Sequence, residues 1–220
     1  MSGRRNQIEE IPRKDGSVFV RGNLKDKKLI FKAVVEWLSD SSLREEQADN
    51  IADFFDFDGY ALLTLDSKPE WSYYVFLNDG IYIPEKADVN QEFSFVFMAK
   101  PYQFETIETI QQIASSGIVI NNGTIEVSPL LMISLSGSVS NLTITNLTMN
   151  ENCIISGVIA GGSVLELDGG YEAVKVAKLD GLNCLARISG SWLKLAPGEN
   201  RVQVSNSNAN VSFVYRGMKK

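Results

Sequence analysis

The sequence predicts a mainly β protein with one helix, laid out as two domains. Residues 1–104 read as an N-terminal α+β sandwich or split barrel, and residues 105–220 as a C-terminal β-sandwich of the jelly-roll or galectin-like kind. Three observations predict this. Residues 1–104 hold 31 charged and 17 aromatic residues, whereas residues 105–220 hold 17 charged and 4 aromatic residues but 12 of the 17 glycines. So sharp a shift between halves of similar length indicates two differently built domains. The second half is a series of short β-forming runs between Gly, Asn and Ser punctuation, and only one stretch of the first half carries a helix start signal.

The chain opens on a polar arm, followed by a short strand at Ser17–Arg21. Lys27–Leu38 alternates, with Leu29, Phe31, Ala33 and Val35 on one face and Ile30, Lys32, Val34 and Glu36 on the other, as a half-buried strand requires. Ser42-Leu43-Arg44-Glu45 has the spacing of a capping box, Ser at the N-cap and Glu three residues on. It predicts a helix to about Phe55 that buries Leu43, Ile51 and Phe54 or Phe55, stopped by Gly59. Three further strands follow at Tyr60–Leu65, Trp71–Leu77 and Gln91–Ala99, the last with Phe93, Phe95 and Phe97 on one face. The half ends at Lys100-Pro101-Tyr102.

Thr106–Ile113 reads as a strand or connector. Strand runs then fall at Gly123–Val127, Leu130–Leu135, Leu142–Thr145, Cys153–Ile159, Ser163–Leu167, Glu172–Val176 and Ala186–Ile188. The stretch from Ile188 to Tyr215 reads as a closing meander, with strands at Ser191–Leu195, Arg201–Val204 and Val211–Tyr215. Its first turn, Ala196-Pro197-Gly198-Glu199-Asn200, combines a fixed φ at Pro with a Gly that accepts positive φ. Trp192, Leu195, Val202, Val204, Phe213 and Tyr215 are the candidates to face a core.

Composition also narrows function. Histidine is absent, which removes Ser-His-Asp and Cys-His catalysis and most zinc sites, leaving carboxylate pairs as the remaining hydrolytic machinery. A net charge of −6 argues against gripping nucleic acid through a basic face. No apolar run is long enough to span a membrane, and the start MSGRRNQIEEIPRKDG lacks the apolar core of a signal peptide. The sequons at Asn122, Asn141, Asn146 and Asn210 therefore read as products of an Asn/Ser/Thr-rich sequence, and Cys153 and Cys184 as free, buried thiols.

Few constellations carry chemistry. Asp56-Phe57-Asp58-Gly59 with Asp66 lacks the third oxygen ligand and terminal Glu of a calcium loop and reads as a turn. Glu166 and Asp168 fall two apart on one strand and read as a solvated face. Trp192, Tyr171 and Tyr215, with Asn183, Asn200 and Arg187, are the residues from which a sugar-stacking platform would be built, against a core-packing role for the same aromatics. Arg4, Arg5, Arg13 and Lys14 with Glu9 and Glu10 make a mixed-charge arm that reads as a flexible terminus or as an inter-subunit strap. No catalytic, cofactor or metal residue is assigned.

RKDGSVF at 13–19, VVEWL at 34–38, the Trp71–Leu77 strand, FSFVFMAKPY at 93–102, and then W-x-x-L, P-G-x-N and V-x-F-x-Y at the end occur in an order that resembles the distal tail proteins of long non-contractile-tailed phages. That resemblance covers about residues 10 to 216. Members of this family carry a strand-bearing segment ahead of the position matched by Arg13–Phe19, where this sequence has about a dozen polar residues. The resemblance implies a structural virion protein of a phage or prophage tail tip, made in the bacterial cytoplasm, without an active site or cofactor. It implies a homohexameric ring formed by the N-terminal domains, joining the tail tube protein to the tail tip. The C-terminal galectin-like domain would face a tail-associated lysin or receptor-binding protein, and DNA would pass through the channel without specific binding. The rival from another class is a monomeric carbohydrate-binding module, with a two-carboxylate glycan hydrolase behind it.

Overall fold

The computed structural model describes residues 7–10, 17–20, 25–36, 38, 40–78, 91–170 and 174–220, the first two segments as backbone. The chain divides into two compact units, Met1–Gln103 and Phe104–Lys220.

In the first unit, β1 (Gln7–Glu10) and β2 (Ser17–Val20) pair antiparallel, Gln7 opposite Val20 and Glu10 opposite Ser17. The polar arm thus contains a strand that its composition did not announce. Pairing there draws on backbone groups facing the β-formers of SVFV, and local polarity carries no signal of it. The remaining strands are β3 (Lys27–Val35), β4 (Ala61–Leu65), β5 (Lys68–Leu77) and β6 (Gln91–Glu105), ordered β4-β5-β6-β3. Strands β3 and β6 run antiparallel from Lys27 opposite Ala99 to Val35 opposite Gln91. Leu29, Phe31, Ala33 and Val35 turn inward as their alternation predicts. Strand β6 does not stop at Ala99 but continues through Lys100-Pro101-Tyr102 to Glu105.

Helix α1 (Ser41–Phe55) covers the inner face of this sheet through Ile51 and Phe55. Two expectations need correction. The Arg44 N–H donates to the Asp40 carbonyl at 3.2 Å, so Asp40 occupies the cap position and Ser42 lies within the first turn. Leu43 is exposed at 45 %, because the core-facing stripe runs through Ala48, Ile51 and Phe55 and Leu43 falls about 120° away from it. Of the adjacent pair, Phe55 is buried and Phe54 is not.

The second unit is a β-sandwich. Its strands are β7 (Thr109–Ile113), β8 (Ser116–Asn121), β9 (Leu130–Leu135), β10 (Val139–Asn146), β11 (Glu151–Ile159), β12 (Val164–Asp168), β13 (Val176–Leu179), β14 (Leu182–Asn183), β15 (Ile188–Gly190), β16 (Gly198–Val204), β17 (Ala209–Tyr215) and β18 (Met218–Lys219). One sheet has the order β15-β11-β10-β16-β8 and the other β14-β13-β12-β9-β17-β7. Val119, Leu142, Ile144, Ile155 and Val202 of the first sheet are buried, as are Leu131, Ile133, Leu165, Leu167, Val211 and Phe213 of the second. Alternate residues on each strand therefore face the core and solvent.

The closing stretch is not a meander. Strand β16 pairs with β10 and β8 in one sheet, whereas β17 pairs with β9 and β7 in the other. The polar segment between them is an arch from sheet to sheet, in which the Asn206 side chain accepts the Asn208 N–H at 2.9 Å. Hairpin and arch use the same turn residues, so local composition does not tell them apart. Leu195, Val202, Val204, Phe213 and Tyr215 are buried as predicted, and Trp192 is half-buried. Ser191–Leu195 and Gly123–Val127 form no strands and meet through the bridge of Val127 with Leu195 and the Lys194–Glu126 ion pair at 2.9 Å. Strand β8, absent from the prediction, takes the sheet edge beside β16. Of the run expected at Glu172–Val176, residues 172 and 173 lie outside the described residues, and β13 begins only at Val176, while Ala186 and Arg187 lie in a 3-10 turn, Leu185–Arg187, instead of a strand.

Candidate interaction surfaces

The aromatic wealth of the first unit goes into packing. Phe31 stacks on Phe95 at 5.4 Å between ring centroids, Phe55 meets Phe95 edge-on at 4.8 Å, and Phe97 lies 5.5 Å from Phe95. Such stacked and edge-on pairs add to the area they bury. Lys27 lies 5.4 Å from the centre of the Tyr73 ring, and burial lowers its pKa. Lys100 lies 5.0 Å from that of Tyr60.

What the core leaves outside is apolar as well. On the outer face of β3, Ile30 is 65 % and Val34 57 % exposed, alternating with Lys28 and Lys32. Lys32 and Glu92, 3.9 Å apart and both largely exposed, contribute little by themselves. Phe54, 76 % exposed at the end of α1, packs edge-on against Phe55 at 5.1 Å. These side chains sit on a nine-residue strand and a helix end held rigid by the phenylalanine cluster. Ile30 and Val34 thus expose apolar groups on the outer face of the sheet, and Phe54 does so separately on the helix that covers its inner face.

In the second unit the predicted glycan residues are placed as follows. Trp192 is half-buried, its ring packed over Gly169 with the Lys175 ammonium 5.6 Å from its centre. Asn183 is exposed, and its side-chain oxygen accepts the Leu185 N–H at 2.9 Å. Arg187 donates to the carbonyls of Ser156 at 2.8 Å and Val158 at 2.9 Å, so it ties the 3-10 turn to β11. Tyr171 lies outside the described residues, as do Arg4, Arg5, Arg13 and Lys14. Tyr215 is buried, its hydroxyl donating to the Ile120 carbonyl at 2.6 Å, and its pKa is pushed up to about 12 by burial and then by the charge of Glu105. Asn200 is fully buried and faces no ligand surface.

Glu166 pairs with Lys178 at 3.5 Å on the outer face, while Leu165 and Leu167 point inward. Cys153 and Cys184 are free and buried, and burial raises the Cys153 thiol to about 11. Among the described residues no three His, Cys, Asp or Glu side chains come together as a metal site, and no helix is long and apolar enough to cross a membrane.

Two polar constellations escaped the sequence reading. Asn121, Asn146 and Asn200 are buried at 1 % exposure or less. Asn200 accepts from the Ala196 N–H at 2.8 Å and from the Asn146 side chain at 3.1 Å, and donates to the Ala196 carbonyl at 2.8 Å. The P-G-x-N spacing was its only local trace. The second constellation gathers Glu105 and Arg216, 111 residues apart.

Residues 122–218 match the family described as siphovirus-type tail component, C-terminal domain. No curated protein matches the chain. Among solved structures, the crystal structure of SPP1 Dit (gp 19.1), described as a paradigm of the hub adsorption apparatus in phages infecting Gram-positive bacteria, aligns over 98 % of this chain and 89 % of its own, with a TM-score of 0.76 and 15 % identity. The likeness is one of fold across both units.

Proposed function

We propose that this chain is a siphovirus-type tail component of the distal tail kind, a non-enzymatic hub that closes into a homohexameric ring through residues 1–104. The ring joins the last disc of the tail tube to the tail-tip apparatus, and the galectin-like second unit turns toward a tail-associated lysin or receptor-binding protein. The observation that carries this reading is the fold likeness across the whole chain to a hub protein, together with the family match of the second unit. The exposed Ile30, Val34 and Phe54 on rigid elements of the first unit supply apolar surface for a heterologous contact that closes. The arm bearing Arg4, Arg5, Arg13 and Lys14 would strap across the neighbouring copy. Residues 1–104 hold 13 basic and 18 acidic side chains, so a channel built from them lets DNA slide without gripping it. Light scattering over a range of protein concentrations tests the ring: a hexamer, or a step toward it, supports it. A monomer at every concentration, with and without tube protein, overturns it.

A second reading keeps the glycan platform of Trp192, Tyr171, Arg187 and Asn183. Trp192 favours it, being the one aromatic of the second unit that stands half-exposed among the described residues. Binding of bacterial wall glycans that is lost in a folded Trp192→Ala variant is its test.

A further inference from the structure

We infer that Arg216–Lys219 form a latch, closed over the sandwich and able to open without unfolding it, that fixes the entry of the chain into the second unit. Strand β17 ends at Tyr215, and Val211, Phe213 and Tyr215 are the inward side chains it gives the sandwich core, with Met218 the one core side chain still to follow. The residues beyond fold back on the start of the unit. The Glu105 N–H donates to the Gly217 carbonyl at 2.9 Å, and the Gly217 N–H donates to the Glu105 carboxylate at 2.8 Å. The Arg216 guanidinium donates to the Glu105 carbonyl at 2.8 Å and also to that of Thr106. On the other side, the Met218 carbonyl accepts the N–H groups of Thr124 at 2.8 Å and Ile125 at 3.2 Å.

Three chain segments thus meet, and two glycines let them. A Cβ on Gly123 would lie 2.4 Å from the Met218 carbonyl oxygen, and a Cβ on Gly217 would lie 3.0 Å from the Gly123 nitrogen and 2.9 Å from the Glu105 carboxylate. Neither position has room for a side chain. The latch is nevertheless slight in apolar terms: β18 has two residues, and Met218 is the one large side chain beyond Tyr215 that is buried. An element rich in backbone hydrogen bonds but poor in buried apolar contacts opens locally, below the free energy of global unfolding. While shut, it holds the backbone at Glu105 and Thr106 to the sandwich, so any bending of the connection falls upstream of them.

Amide hydrogen exchange on the full chain tests this. The reporters are Glu105, Thr124 and Ile125, whose N–H groups point at the latch, and the reference is β17. In Arg216→Ala the three reporters should exchange at least about tenfold faster while Val211 and Phe213 hold their rates. Glu105→Gln, which keeps an acceptor for the Gly217 N–H, should retain most protection, and Glu105→Ala should lose it. A chain ending at Tyr215 should still fold. Reporters that do not move in Arg216→Ala, or reference amides that accelerate with them, overturn the latch. So does failure of the shortened chain to fold. None of these readouts depends on ring formation, so the latch and the hub stand or fall separately.

Discussion

Replacing Asn200 by Ala should be among the most damaging single changes in the second unit, though it deletes only one small polar group. The side chain is fully buried and makes its bonds in two directions. Its oxygen accepts from Ala196 and Asn146, and its amide donates to the carbonyls of Ala196 at 2.8 Å, Gly198 at 3.1 Å and Val119 at 3.4 Å. Asn146 keeps a second acceptor, the Lys194 carbonyl at 2.6 Å, so its loss is partial. The Ala196 N–H and carbonyl lose their partner, and each buried polar group left unpaired costs about 1–3 kcal/mol. The sum is about 2–6 kcal/mol, against roughly 1 kcal/mol for an average substitution. Asn200→Asp should be worse at neutral pH. It keeps the acceptor but turns a carboxylate oxygen toward three carbonyls at a fully buried position. Acid should then partly rescue Asp and leave Ala unchanged. Urea denaturation followed by circular dichroism at pH 5 and pH 7 reads both effects. A loss below about 1 kcal/mol for Asn200→Ala would refute the network as a stabilising element and imply that water replaces the missing amide.

Other expectations follow from burial and ionisation. The Cys153 thiol, free to ionise near its ordinary value of 9.0 when unfolded, is pushed up to about 11 by burial when folded, so between those pH values the native state keeps a proton that the unfolded chain has released. Its stabilising contribution is complete below pH 9 and declines by about 2–3 kcal/mol as pH rises to 11. Cys153→Ala should flatten that slope in denaturation measured across the window, and the native thiol should resist alkylation at pH 8. Tyr215→Phe removes the hydroxyl bonded to the Ile120 carbonyl and should cost about 1 kcal/mol, measurable as a shifted urea midpoint. Phe55→Ala should destabilise the first unit by about 3–5 kcal/mol, the range for large-to-small aromatic truncation in a core. Phe54→Ser, one residue earlier, should cost the monomer no more than about 1.5 kcal/mol, the loss of its edge-on contact with Phe55, while lowering the mass seen by light scattering if that face closes the ring.

Local pattern reached far into this chain. Alternation at Leu29, Phe31, Ala33 and Val35, and at Phe93, Phe95 and Phe97, named the inward faces of β3 and β6 because a strand's period of two is fixed by backbone geometry. Pro197-Gly198 marked its turn for the same kind of reason, and Gly198 takes a φ of 85°. The capping signal was weaker: Ser42 and Asp40 both suit an N-cap, and the hydrogen bond to the Asp40 carbonyl decides between them. The glycan candidates show the limit of residue type. Asn200, Tyr215 and Arg187 have the chemistry of ligand contacts, but their donors and acceptors are committed to the protein's own backbone.

By itself the sequence determined what depends on neighbours along the chain: a β-rich protein with one helix, the change of construction near residue 104, the faces of its longest strands, the absence of histidine chemistry, and the succession of motifs that resembles a distal tail protein. Tertiary structure decided what depends on partners far away in the chain. It set β16 and β17 in opposite sheets, made a strand of Gln7–Glu10, buried three asparagines and bonded Asn146 to Asn200, and brought Arg216 back to Glu105 across 111 residues. The reason is physical. Turn and alternation signals are written within a few residues, whereas sheet membership and the pairing of buried polar groups are fixed when segments distant in sequence meet and exclude water.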